Sequence, residues 1–234
     1  PIRDASRRTV DTMAERLGLT ASSKLLDIGS GYGGAVRHLV RDYGLKDVVA
    51  LNLSTTQNQR HREMNAAAGI SGVRVVDAAF EDIPEPDSAF GVVWCQDSIL
   101  HSGDKPKVLQ EVWRVLAPGG QFIFTDPMQA DDCPPGVLAP VLARIHLEEM
   151  GSFAKYRKIA QELGFEEVEV DDHSHQLPRH YARVKAELEA NEPKLRESCS
   201  ETYLTNMKKG LQHWVDAGRA GHLAWGILHF RKPA

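Results

Sequence analysis

The chain has 234 residues, with 28 Lys and Arg against 32 Asp and Glu for a net charge of −4, and three scattered cysteines, Cys95, Cys133 and Cys199. That length suits one α/β domain burying roughly 70–75% of its unfolded surface, and the mild acidity argues against a nucleic-acid polyanion as partner. The cysteine spacing gives neither a disulfide framework nor a zinc site, and no apolar run approaches the ~20 residues of a membrane span or follows a charged leader, so a soluble cytoplasmic protein is expected.

Arg7 to Leu17 places Val10, Met13, Ala14 and Leu17 on one helical stripe with Gly18 as the stop, which predicts a packing helix before the first strand. Leu25-Leu26-Asp27-Ile28 is a short apolar run that ends in a glycine-rich turn, Gly29-Ser30-Gly31-Tyr32-Gly33-Gly34; a helical pattern follows from Ala35 to Asp42. Strand, turn and helix in that order suit a nucleotide. Gly29 and Gly31 let the backbone turn sharply and approach a ligand, while the helix start offers unpaired N–H groups. Gly29-x-Gly31-x-x-Gly34 also fits the dinucleotide fingerprint, which requires an acid about 20 residues on, at the end of the second strand. Asn52 stands there, and the acid instead precedes the turn as Asp27. A plain strand-to-helix turn with Asp27 as a capping residue is the competing reading.

Val48 to Leu53 reads as a strand covered on both faces, and Leu53-Ser54-Thr55-Thr56-Gln57 opens a helix with Ser54 as N-cap. Val73 to Val76 is the third strand, followed by Ala79-Phe80-Glu81-Asp82-Ile83-Pro84. Phe90 to Cys95 is the fourth and gives way to Gln96-Asp97-Ser98-Ile99-Leu100-His101. Lys105 to Leu116 is an amphipathic helix that Leu116-Ala117-Pro118-Gly119-Gly120 turns into the strand Gln121 to Thr125, closed by Asp126-Pro127-Met128. Val137 to Met150 reads as an inserted helix, Phe153 to Leu163 as a helix before Gly164, Glu166 to Val170 as the sixth strand, and Leu223 to Phe230 as the seventh, antiparallel beside it. Roughly fifty residues separate the last two strands, more than a loop holds. Tyr181, Val184 and Leu188, and then Leu204, Met207, Leu211 and Val215, have helical spacing, so this stretch is expected to cap the carboxyl edge of the sheet. Ligands of doubly wound sheets sit outside that edge, beside Gln96 to His101 and Asp126 to Met128.

The acid before a G-x-G turn and the L-x-P-G-G turn at 116–120 resemble the class I S-adenosylmethionine methyltransferases. The resemblance implies an α/β, Rossmann-like seven-stranded sheet with strand 7 antiparallel. It also implies a single methyltransferase domain over 1–234, with cap insertions at about 129–152 and 171–222, and S-adenosylmethionine as cofactor. Carried over residue by residue, Asp27, Gly29, Ser30 and Gly31 face the cofactor's methionine end, Asp27 helping to hold its amino group. Asn52, Leu53 and Gln57 lie along the ribose, and Gln96 lies beside the cofactor. Many members carry an Asp-Ala pair ahead of the proline matching Pro84, the acid meeting the adenine amino group. Here the pair is Ala79-Phe80, which leaves the Phe80 amide to meet the ring and displaces the acid to Glu81 or Asp77.

Three further segments narrow the resemblance to the sarcosine and dimethylglycine N-methyltransferases, which make glycine betaine. They are Gln96 to Lys105, Thr125-Asp126-Pro127-Met128 and Trp214-x-x-x-Gly218-Arg219-Ala220-Gly221, and the likeness runs over essentially the whole chain. Asp97-x-Ile99-Leu100-His101 is also similar to the phosphoethanolamine methyltransferases, which place a phosphate-binding tyrosine where this chain has Pro127-Met128; a small amine with a carboxylate is therefore favoured over a phosphate ester. A protonated amine must lose a proton before it attacks, and His101 is the candidate base or relay. Asp97 either orients His101 or faces the ammonium; the bland alternative is that His101 caps the helix beginning near Asp104. His38, His61, His213 and His229 are expected to be structural or exposed. Arg144 is the first choice for a fork on the substrate carboxylate, with Arg179, Arg183 and Arg219 as rivals. Tyr156, Tyr181 and Trp225 offer faces to a quaternary product, and no metal is required. The family carries an upstream aromatic-rich segment that closes over the cofactor; this chain begins almost directly with the packing helix, so that lid and a tyrosine partner for His101 are expected to be missing. The competing readings are methylation of phosphoethanolamine or another small molecule, and a cofactor-binding module without catalysis. Oligomeric state is not written in these residues.

Overall fold

The computed structural model describes residues 2–234. Short apolar runs between turns form β1 (Lys24–Ile28), β2 (Asp47–Asn52), β3 (Val73–Asp77) and β4 (Phe90–Gln96), followed by β5 (Leu116–Gln129), β6 (Glu166–Asp172) and β7 (Leu223–Arg231). They join in one seven-stranded sheet of order β3-β2-β1-β4-β5-β7-β6, in which β1 to β5 run parallel and β7 lies antiparallel to both β5 and β6. Successive residues of the central strands face opposite layers, as a strand period of two demands. Leu25, Val48, Val92 and Trp94 meet α1 (Ile2–Leu17) and α2 (Gly34–Asp42), whereas Leu26, Val49, Val93 and Cys95 share a core with α4 (Lys105–Val115) and α6 (Phe153–Leu163). Burial on both faces explains why these strands read as unbroken apolar runs.

Helix α3 (Thr55–Ala67) turns polar residues inward: Asn58, His61 and Asn65 are its buried positions. Asn58 accounts for itself by donating through Nδ2 to the Asn52 carbonyl and to Asp77 Oδ1, both at 2.7 Å. Over the carboxyl edge, α5 (Ala139–Ile145), α7 (Leu177–Ala190), α8 (Glu192–Leu195) and α9 (Glu201–Arg219) build the expected cap around a third core that includes Leu100, Val141, Leu177 and Trp214.

The boundaries depart most from the sequence expectation in three elements. α1 begins at Ile2 rather than Arg7. β5 extends to Gln129 because its pairing with β7 continues through Pro127 opposite Trp225 and Met128 opposite Ala224. The inserted helix is confined to 139–145, since Gly136 at φ 81° and His146 at φ 56° turn the chain out of helical geometry on either side.

Candidate active site

Strand order reverses between β1 and β4, so the crevice outside their carboxyl ends is the switch point of the sheet. There Gly29 and Gly31 have φ of 78° and 51°, a region that glycine enters without strain. A Cβ at Gly29 would collide with Ser98, whose hydroxyl donates to the Gly29 carbonyl at 3.0 Å and ties the turn to the end of β4. Beside Gly31 the space is open, and no side chain caps the start of α2. Ser30 Oγ is buried without a partner, and enclosure of Asp27, with no donor to it among the described residues, pushes its pKa up to about 7. An orphaned hydroxyl, an uncompensated carboxyl and free helix amides fit the ammonium-bearing amino-acid end of S-adenosylmethionine.

Along the same crevice, Asn52 donates through Nδ2 to Gln57 Oε1 at 3.1 Å, and Ser54 caps α3 by accepting the Gln57 amide. Leu53 between them is 73% exposed, an apolar side chain left bare beside amide groups, as a ribose and base require. Phe80 borders the glycine turn, its Cε1 being 3.8 Å from the place of a Gly29 Cβ, with Ala79 next to it in the chain. Neither displaced acid is free: Asp77 is held by Arg62 and Asn58, each at 2.7 Å, and Glu81 accepts the Ser102 hydroxyl.

Gln96, Asp97, His101, Pro127, Arg144, Tyr181 and Trp225 line one cavity of about 1080 Å³ under the cap. Met128 does not reach it: with Pro127 facing the cavity, strand alternation turns Met128 into the core, where it is fully buried. Tyr156 is likewise buried on the inner face of α6, and Arg219 lies outside the cavity lining; Arg179 and Arg183 do line it, with Arg183 paired to Glu187. Arg144 has no acidic partner among the described residues. Its Nη2 reaches the Met207 sulfur at 3.1 Å.

Asp97 sits at φ 51° just past β4, exposed into the cavity that it lines. Burial raises its pKa, opposed by the Trp225 indole N–H, which donates to Oδ1 at 2.8 Å. Asp97 is therefore oriented by Trp225, and no hydrogen bond joins it to His101. His101 ends a 3-10 turn, Ile99–His101, and does not cap α4, because Asp104 performs that task by accepting the Lys107 amide. Burial and the Lys105 ammonium lower its pKa, keeping the imidazole neutral. The Tyr181 hydroxyl feels both charges, its pKa being raised first by burial and then by Asp97, with Arg144 opposing.

Two contributors were missed in the sequence. Asp126, fully buried beneath the cavity, accepts the Leu100 amide at 2.9 Å and the Tyr156 hydroxyl at 2.6 Å, so it holds the turn that carries His101; burial pushes its pKa up to about 8. The second is α1, which turns Ala5, Thr9 and Thr12 toward the cavity, a helical spacing visible beside the Val10 stripe. Of the histidines expected to be structural or exposed, His38 pairs with Asp11 and Asp42, His229 bonds Gln121, and His61 is buried against Gly33, whereas His173 and His180, which the sequence did not single out, line the cavity beside His101. Among the described residues no group of His, Cys, Asp and Glu could hold a metal ion, and no helix is long and apolar enough to cross a membrane.

The sheet order, the antiparallel seventh strand and the glycine turn at the switch point define a Rossmann-like class I methyltransferase. A methyltransferase-domain family matches residues 26–124. The sarcosine/dimethylglycine N-methyltransferase of Halorhodospira halochloris is 55% identical over 99% of this chain and 84% of its own length, and that of Aphanothece halophytica 52% identical over 100% and 84%. A structure from Galdieria sulphuraria assigned as a sarcosine dimethylglycine methyltransferase superposes with a TM-score of 0.95 at 42% identity, covering 100% of this chain and 87% of that one. The chain belongs to the sarcosine/dimethylglycine N-methyltransferase family.

Proposed function

We propose that the protein is an S-adenosylmethionine-dependent N-methyltransferase that converts sarcosine and dimethylglycine to glycine betaine. One observation carries the reading: a single cavity at the carboxyl edge holds an unpaired guanidinium, Arg144, and a carboxyl, Asp97, with the Tyr181 hydroxyl in the field of both. That arrangement complements a small zwitterion, its carboxylate on the guanidinium and its amine on the carboxyl. The three free cysteines, one buried and two partly so, fit a reducing cytoplasm.

Asp27, Gly29, Ser30 and Gly31 would hold one end of S-adenosylmethionine and Asn52, Leu53, Gln57, Ala79 and Phe80 the other, and the bound cofactor would supply an electrophilic methyl group on a sulfonium. Arg144 receives the acceptor's carboxylate through its planar fork. Asp97 and the faces of Trp225 and Tyr181 receive the amine, first as an ammonium and finally as a quaternary product. A protonated amine has no lone pair; His101, kept neutral by its surroundings, takes that proton at an imidazole nitrogen. The cap and α1 exclude water, and fixing the freed amine in line supplies roughly 7–11 kcal/mol.

Incubation with S-adenosylmethionine and, separately, sarcosine, dimethylglycine and phosphoethanolamine, with products identified by mass spectrometry, tests the reading. Betaine from dimethylglycine is the expected outcome. Methylated phosphoethanolamine without betaine overturns it.

A further inference from the structure

We propose that Gly210, in the middle of α9, sets the position of the Arg144 guanidinium and thereby the affinity for acceptors that carry a carboxylate; this rests on the reading that Arg144 receives that carboxylate. α9 runs for 19 residues, and Gly210 is buried near its centre. Glycine is the poorest helix former after proline, and Gly210 does not adopt the left-handed backbone that would call for it. The groove it leaves is filled from another helix. A Cβ at Gly210 would run into Arg144 Cδ and lie 2.7 Å from Nε and 3.2 Å from Cγ.

The stem of Arg144, in the last turn of α5, therefore lies across α9 in the space of the missing side chain, and its Nη2 meets Met207 less than a turn earlier on the same helix. Thioether sulfur is a weak acceptor. The stem is thus held while the fork remains unneutralised and able to bind a ligand. Gly210 does not line the cavity, so any influence on the acceptor passes through Arg144.

The test compares Gly210→Ala, Arg144→Gln and the double variant at saturating S-adenosylmethionine. Gly210→Ala is expected to fold with an undiminished melting temperature, since alanine favours helix and the displaced atoms belong to a flexible side chain. Its KM for dimethylglycine rises roughly 10- to 100-fold, the worth of a charge-assisted hydrogen bond, with kcat little changed. In the double variant the two losses do not add, because they act on one contact. An unchanged KM in folded Gly210→Ala, or losses that add, overturns the proposal. Arg144→Gln with an unchanged KM removes instead the reading on which it rests. Should Gly210→Ala not fold, Met207→Leu, which keeps the volume and removes the sulfur, reads the same contact through the same KM, and an unchanged KM there overturns the proposal.

Discussion

Between β1 and α2 the groups proposed to face the cofactor are contiguous in the chain, from Asp27 to Gly34, with left-handed glycines and uncapped helix amides among them. The cavity under the cap is instead assembled from side chains on α1, the ends of β4 to β7, α5, α7 and α9, from Ile2 to Ile227. The first site depends on a turn whose φ angles only glycine adopts freely; the second depends on how separate helices settle on the sheet edge. Damage to one is therefore expected to spare the other, and each variant below asks whether it does.

Removing the proposed base separates them most widely. His101→Ala is expected to lower kcat by roughly 10²–10⁴-fold while calorimetric affinity for S-adenosylmethionine stays as it was; a parallel loss of affinity would merge the two regions into one. Gly29→Ala probes the other side. A left-handed φ at a residue with a side chain and the collision with Ser98 together cost about 2–5 kcal/mol. Cofactor binding is expected to fail, while dimethylglycine, followed by saturation-transfer NMR, still binds under the cap.

The same contrast decides what could be read in advance. Gly29 and Gly31 were legible because a strand, a glycine turn and a helix follow one another without interruption, and the helix 153–163 matched because Ser152 and Gly164 bound it with local signals. Arg144, Tyr181 and Trp225 line one cavity only through tertiary packing, so their convergence had no local signature, and they were picked for the chemistry of their side chains. Met128 was chosen by its place at the end of the fifth strand and Tyr156 by residue type, and alternation along β5 and the buried face of α6 took both into the core. Thr9 and Thr12 were passed over because small polar residues on a helix normally read as a solvated face. The inserted helix, read as Val137 to Met150, overran its true end at Ile145, because nothing in the pattern announces the left-handed backbone at His146.

A smaller effect joins the cavity to the core beneath it. Tyr156→Phe takes the 2.6 Å donor from Asp126, a carboxyl with no exposed surface, and leaving that oxygen unpaired costs about 1–3 kcal/mol. A lowered urea midpoint is the expected reading. Because Asp126 also holds the Leu100 amide next to His101, kcat falls as well, whereas affinity for S-adenosylmethionine does not.

The subtlest test lies in the pH dependence of the glycine-turn site. Burial holds Asp27 at a pKa of about 7 in the ligand-free protein. An ammonium placed beside it favours the carboxylate, so binding of S-adenosylmethionine expels a proton wherever Asp27 starts out protonated. Affinity then rises with pH, by up to about tenfold or ~1.4 kcal/mol per unit, until it levels off near 7. It falls again above about 8, as the ligand's own amino group deprotonates. The stability of the ligand-free protein runs the opposite way. The folded chain binds the Asp27 proton more tightly than the unfolded chain does, so this group's contribution declines as pH rises from 3.8 toward about 7 and is level beyond. Asp27→Asn keeps the shape and removes the titration: calorimetry is expected to show the acid-side dependence abolished and the alkaline fall retained. An acid limb that survives in Asp27→Asn would assign the proton to another group and remove Asp27 from the contact with the cofactor's amino end.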